Sequence, residues 1–110
     1  MSAEDVATKV FAALTDPSRR AVLTVVARQG GGSASDVARV LPISRQAVMK
    51  HFAVLEDSGL VRRERVGRAI RYVAVADALY AASTWLRDLA GSWDDRLAAL
   101  RTAAEDDTAH

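Results

Sequence analysis

The chain has 110 residues, half of them hydrophobic and 26% charged, with no cysteine and two histidines, His51 and His110. That length builds one modest core rather than two. The lack of thiols excludes disulfides, thiolate metal ligands and a cysteine nucleophile, and two histidines alone leave no structural zinc set. No apolar run approaches the roughly 18 residues of a membrane span, and no basic-then-apolar leader opens the chain. The expectation is therefore a cytoplasmic protein with no membrane partner.

The net charge of +1 hides a division. Residues 17–75 carry eleven Lys/Arg against four acids, whereas the two ends together carry four basic residues against ten acids. A basic middle between acidic ends points to one surface made for a polyanion and another for something else. Arginine supplies most of the positive charge, and its planar fork suits phosphate and guanine.

In chain order, Val6, Val10 and Leu14 recur at helical spacing, so a first helix is expected from Asp5 to Leu14. Asp16-Pro17 supplies an N-cap carboxylate and a first-turn proline for a second helix, which runs through Val22, Leu23, Val25 and Val26 and stops at Gly30-Gly31-Gly32. Arg19 and Arg20 stand at its start, where one of them is expected to brace the fold. Ser33 with Asp36 reads as a capping box for a short third helix, Ser35 to Leu41, ended by Pro42. Ser44 then caps a fourth helix that runs to Asp57 and stops at Gly59. Two helices joined by so tight a turn form a helix-turn-helix.

On a helical wheel Val48, Phe52 and Leu55 fall on one side of the fourth helix and Gln46, Met49, Lys50 and Ala53 on the other, with Arg45 at the edge. Apolar on one side, amide, thioether and cation on the other, this is what a helix entering the major groove requires: Arg45 matches guanine O6/N7, Gln46 matches adenine N6/N7, and Lys50 reaches a base or phosphate. After Gly59 the period changes. Residues 60–65 and 69–73 flank Val66-Gly67-Arg68 and read as a hairpin with a glycine turn. Arg62, Arg63, Arg65, Arg68 and Arg71 crowd into it; alternation cannot place them all on one face, and Arg68 at the tip is the best placed for a groove or phosphate.

From Asp77 the chain is helical for about 25 residues. Leu79, Ala82, Leu86, Leu89, Ala90, Trp93, Leu97 and Leu100 fall within one stripe, more than a domain this small can cover, so the stripe calls for a partner helix, most simply that of a second copy. Gly91-Ser92 is expected to kink or break it, with Ser92 and Asp95 capping a new helix, and Glu105 to His110 to form a disordered tail.

Taken together, Ala13 to Arg20, Leu41 to Phe52, Val54-Leu55, Ser58 to Val61 and Gly67-Arg68 through Tyr72 resemble the ArsR family of bacterial winged-helix transcriptional regulators, over residues 10–100. The resemblance implies a mainly α, winged helix-turn-helix fold of about five helices and a two-stranded wing, dimerising through its terminal helices. One domain would span 1–104, with the helix-turn-helix at 33–58, the wing at 60–74 and the dimerisation helix at 77–104. It implies a homodimeric repressor that binds double-stranded DNA at an inverted-repeat operator. DNA contacts are expected from Ser44, Arg45, Gln46, Met49, Lys50, Arg65, Arg68 and Arg71, and dimer contacts from Val6, Val10, Leu86, Leu89, Trp93, Leu97 and Leu100. Metal-sensing members carry cysteines in the helix before the turn or His/Asp/Glu clusters on the last helix. Here the third helix reads Asp36-Val37-Ala38-Arg39-Val40 and the last has no histidine, so a non-metal-sensing type is expected, with no metal and no cofactor. Trp93 with Arg96-Leu97 and Leu100 looks like the subgroup often encoded beside START-like proteins. Met49 and Ala53 depart from the serine and Lys/Arg common in relatives, which bears on base preference. His51 matches the family and is expected to be structural.

An alternative is a ligand-responsive regulator, with Phe11, Trp85 and Trp93 forming an apolar small-molecule pocket at the dimer interface. An enzyme is rejected: the sequence shows no nucleophile–base pair, and Gly30-Gly31-Gly32 lacks the Lys-Ser/Thr that completes a phosphate loop.

Overall fold

The computed structural model describes residues 2–108 as α1 (Ala3–Ala13), α2 (Pro17–Gln29), α3 (Ala34–Val40), α4 (Arg45–Asp57), β1 (Val61–Val66), β2 (Ala69–Ala74) and α5 (Asp77–Thr108). Each helix start is set by a side chain that takes up otherwise orphaned backbone N–H groups. Ser2 and Asp5 cap α1 reciprocally, which places its start earlier than the apolar spacing predicts. Asp16 accepts from the Ser18 and Arg19 amides at 2.8 and 3.3 Å, with Pro17 in the first turn of α2. Ser33 and Asp36 form the expected capping box on α3, and Ser44 Oγ accepts from the Ala47 amide at 3.1 Å on α4. Leu41, before Pro42, is extended, so the third helix stops at Val40. At the far end of α4, Gly59 takes φ +79°, and the amides of Gly59 and Leu60 reach back to the carbonyls of Glu56 and Leu55, a Schellman stop.

The core draws on every element. Val10, Val22, Val26, Val37, Val48, Phe52, Leu55 and Leu60 are fully buried. The wing is an antiparallel hairpin in which Val61 pairs with Ala74 and Val66 with Ala69, leaving only Gly67-Arg68 in the turn. Val66 therefore belongs to the strand and not to the turn, because a two-residue loop with glycine at its first position matches the twist of paired strands.

Tyr72 joins the wing to the body. Its ring stacks on Phe52 of α4, centroids 4.0 Å apart and planes at 19°, and its backbone exchanges two hydrogen bonds with Gly32, 2.8 and 2.9 Å. The triple glycine is thus a docking segment. A Cβ on Gly31 would lie 2.9 Å from Val73 Cγ1 and 3.3 Å from the Tyr72 carbonyl oxygen, at φ +119°, so only glycine lets β2 come this close.

The last helix departs from expectation in two ways. It runs without a break through Gly91-Ser92, so Ser92 and Asp95 start no new helix, and it continues past Glu105 to Thr108 in place of a disordered tail; Ala109 and His110 lie outside the described residues. One glycine costs a helix only about 1 kcal/mol, and the alanines, leucines and arginines around it favour helix, as do Ala103-Ala104-Glu105. At 1.5 Å per residue its 32 residues span about 48 Å. Only its start is covered: Ala78 and Ala82 are buried, α1 packs along it, and Phe11 meets Trp85 edge to face at 5.7 Å. From Leu86 to Asp106 every residue is exposed.

Phe52→Ala removes both a core ring and the platform of Tyr72. Urea denaturation should show a loss of about 3–5 kcal/mol.

Candidate nucleic-acid interface

The burial of Val48, Phe52 and Leu55 fixes how α4 is rotated and leaves Arg45, Gln46, Met49 and Lys50 on the outside, Met49 at 40% exposure. Ser44 spends its oxygen on the cap, which leaves its O–H free to donate to a phosphate. In the wing, strand alternation turns Arg63 and Arg65 to the same side as Ile70 and Tyr72, and Arg62, Glu64 and Arg71 to the other. Arg45, Met49, Arg63 and Arg68 line one open groove of about 460 Å³ between α4, the start of α3 and the wing, with Ser33, Ser35 and Ile70 also on its walls. The geometry is a helix with its polar side presented outward, a tight turn before it and a basic hairpin beside it.

A helix-turn-helix domain family model matches residues 14–64. The transcriptional repressor SdpR of Bacillus subtilis (strain 168) is 27% identical over 88 residues, covering 80% of this chain and 97% of that protein. The crystal structure of an ArsR family transcriptional regulator is 31% identical, with a TM-score of 0.72 over 83% of this chain and 93% of the other. An ArsR-like transcriptional regulator from Rhodococcus sp. RHA1 is 42% identical, with a TM-score of 0.85 over 92% of this chain and 94% of that one. The chain belongs to the ArsR family. It is a DNA-binding transcriptional regulator with a winged helix-turn-helix fold, and not an enzyme. None of its described helices is long and apolar enough to cross a membrane.

Within this ArsR-family frame, the structure sorts the residues chosen from sequence. Arg45, Met49 and Arg68 meet at the groove; Gln46 and Lys50 are exposed on α4 outside it, and Arg65 is exposed on the α4-facing side of the wing. Arg71 does not join them. Half-buried on the opposite side of the hairpin, its guanidinium lies beside Gly31, and its charge is the smallest of the effects that lower the Asp36 carboxylate. Arg63, not selected from sequence, lines the groove while its Nε holds Glu56 Oε2 at 2.9 Å. Strand parity with Arg65 carried that signal. Arg19 and Arg20 both brace: Nη1 of each donates to a carbonyl at the C-terminus of α1, Arg19 to Ala13 at 3.0 Å and Arg20 to Leu14 at 2.6 Å.

Among the expected dimer contacts, Val10 is 1% exposed within the single chain and has no surface left for a partner, because it faces the core between α1 and its neighbours. Val6 is half-buried against the same core. Leu86, Leu89, Trp93, Leu97 and Leu100 are exposed. Phe11 and Trp85 fill each other's space, whereas Trp93 stands exposed two turns further along α5.

Two carboxylates are held below their ordinary range. For Asp36 the causes are hydrogen bonds from the Ser33 amide and hydroxyl, with Arg39 and Arg71 adding charge; for Asp16 they are the Arg19 amide foremost, then the Ser18 amide and the charges of His51 and Arg19, against an opposing effect of burial.

A carboxylate whose pKa is lower folded than unfolded stabilises the fold above its unfolded pKa and loses that contribution as pH falls through the folded value. Acid should therefore weaken wild-type protein below the ordinary aspartate range. Asp36→Asn should flatten that limb in urea-unfolding midpoints measured against pH; an unchanged limb would remove Asp36 from the account.

Proposed function

We propose that this ArsR-family regulator is a homodimeric, cytoplasmic repressor that binds an inverted-repeat operator and does not sense metal. The observation that carries the reading is the groove itself: Arg45 and Met49 of a helix whose other side is fully buried meet Arg63 and Arg68 of the wing. In this reading α4 enters the major groove, where Arg45 pairs with guanine and Gln46 with adenine, and Lys50, Ser44 and Arg65 hold phosphates. Arg68 at the wing tip reaches the backbone or the neighbouring minor groove. Two copies, paired through α1 and α5, set two recognition helices about one helical turn apart on the DNA. The non-metal-sensing reading is supported by the sequence: the chain has no cysteine, and the helix before the turn offers Asp36-Val37-Ala38-Arg39-Val40 in place of thiol ligands.

The direct test is binding to labelled DNA from upstream of the protein's own gene, against shuffled DNA, across a salt series. Tighter binding to the native fragment with a steep salt slope is expected. Arg45→Ala should cost about 1–3 kcal/mol on the preferred sequence and relax base preference, whereas Arg68→Ala should weaken all sequences alike and reduce the salt slope by about 1. Equal losses on every sequence for Arg45→Ala would remove it from base reading, and no binding to any DNA at low salt would overturn the function.

A further inference from the structure

Tyr72 is only 5% exposed, and packing explains its ring, which stacks on Phe52. Packing does not explain its hydroxyl. Among the described residues the oxygen has no hydrogen-bond partner, yet it is not shut off from solvent either. Tyr72 lines the groove between α4, the start of α3 and the wing, and that groove is where the hydroxyl emerges. Phenylalanine would fill the same core space. A buried ring that carries an unspent hydroxyl to the wall of a groove points to a ligand that spends it.

The groove's other residues say which ligand. Arg45, Arg63 and Arg68 line it, and no carboxylate does among the described residues. Three cations beside a neutral donor select an anion, whereas a base edge presents donors and acceptors together. Met49, Ala69 and Ile70 add apolar wall between the arginines, which suits the sugar attached to a phosphate. The place in the fold agrees: a strand that leaves the major groove at α4 for the wing tip crosses between the two.

We propose that the Tyr72 hydroxyl donates a hydrogen bond to a phosphodiester of the DNA strand that crosses this groove. The proposal rests on the DNA-binding reading above and adds to it a contact made from inside the groove. The arginines attract the strand through long, flexible side chains. The hydroxyl sits on a ring held against Phe52, so it fixes which phosphate lies between α4 and the wing. Tyr72 is thus a positioning residue for the strand as well as the joint between wing and body.

Tyr72→Phe removes the oxygen and keeps the stack. Full-length wild-type and variant proteins are compared on labelled DNA from upstream of the gene and on shuffled DNA, across a salt series. The variant should bind both about tenfold more weakly, with the preference between them unchanged. Its salt slope should equal that of wild type, because a neutral donor displaces no counterion, and its urea midpoint should not move. Ethylation of single phosphates in the native fragment should reveal one position that weakens wild type but leaves Tyr72→Phe unaffected. Wild-type affinity in the variant, identical ethylation patterns, or a loss matched by a lower urea midpoint would overturn the proposal and leave the arginines as DNA contacts. A loss confined to the native fragment would make the hydroxyl a base reader and overturn it too. If wild-type protein binds neither DNA at low salt, the DNA-binding reading falls and the proposal with it.

Discussion

The stack of Tyr72 on Phe52 holds the interface together. Phe52 is the fully buried centre of α4, and Tyr72 is the wing residue that also exchanges both backbone hydrogen bonds with Gly32. One aromatic pair thus fixes three things relative to one another: the rotation of the recognition helix, the tilt of the wing and the path from α2 into α3. A two-stranded hairpin is marginal in water by itself. Here it is held by a ring on one side and by backbone on another, and the arginines it carries inherit the rigidity of the core. Glycine at position 31 is the condition for that contact, since any side chain there would push β2 away from the body.

The arginines divide by what lies within reach. Arg19 and Arg20 are taken up by α1 carbonyls and serve the scaffold, and Arg71 lies near Gly31 and Asp36 on the side of the hairpin away from the groove. Arg45 and Arg68 reach the groove without an ion pair among the described residues, and Arg63 reaches it while paired with Glu56. Surface pairs of that kind contribute little to stability. A basic count of eleven in the middle of the chain therefore overstates the charge offered to a polyanion.

Most helix boundaries were legible because they depend on local chemistry: Asp16-Pro17, Ser33 with Asp36, Ser44 and Gly59 act within one turn of the residue that names them. The outward and inward sides of α4 were legible for the same reason, through helical spacing. What escaped were decisions made at a distance. Arg71 reads with the other wing arginines in sequence, yet strand parity places it on the side of the hairpin away from the groove, near Gly31, forty positions earlier. Val10 shows the same spacing as a partner-facing stripe, but α1 spends it on the core. At Gly91 the weak cost of one glycine was set against a long run of helix formers, and the run prevailed.

The length of α5 has an electrical consequence. It holds Arg87, Arg96 and Arg101 against seven carboxylates, and it carries that acidic excess tens of ångströms from the groove, along a molecule 76 Å in its longest dimension. A body of net charge +1 with its opposite signs so far apart behaves as a dipole. In the field of a polyanion each chain feels a torque that turns its basic side, rather than the acidic helix, towards the opposite charge. That orienting effect acts on the rate of productive encounter more than on the final affinity. At physiological ionic strength it fades beyond about 8 Å from the phosphates, so the alignment takes place in the last nanometre of approach.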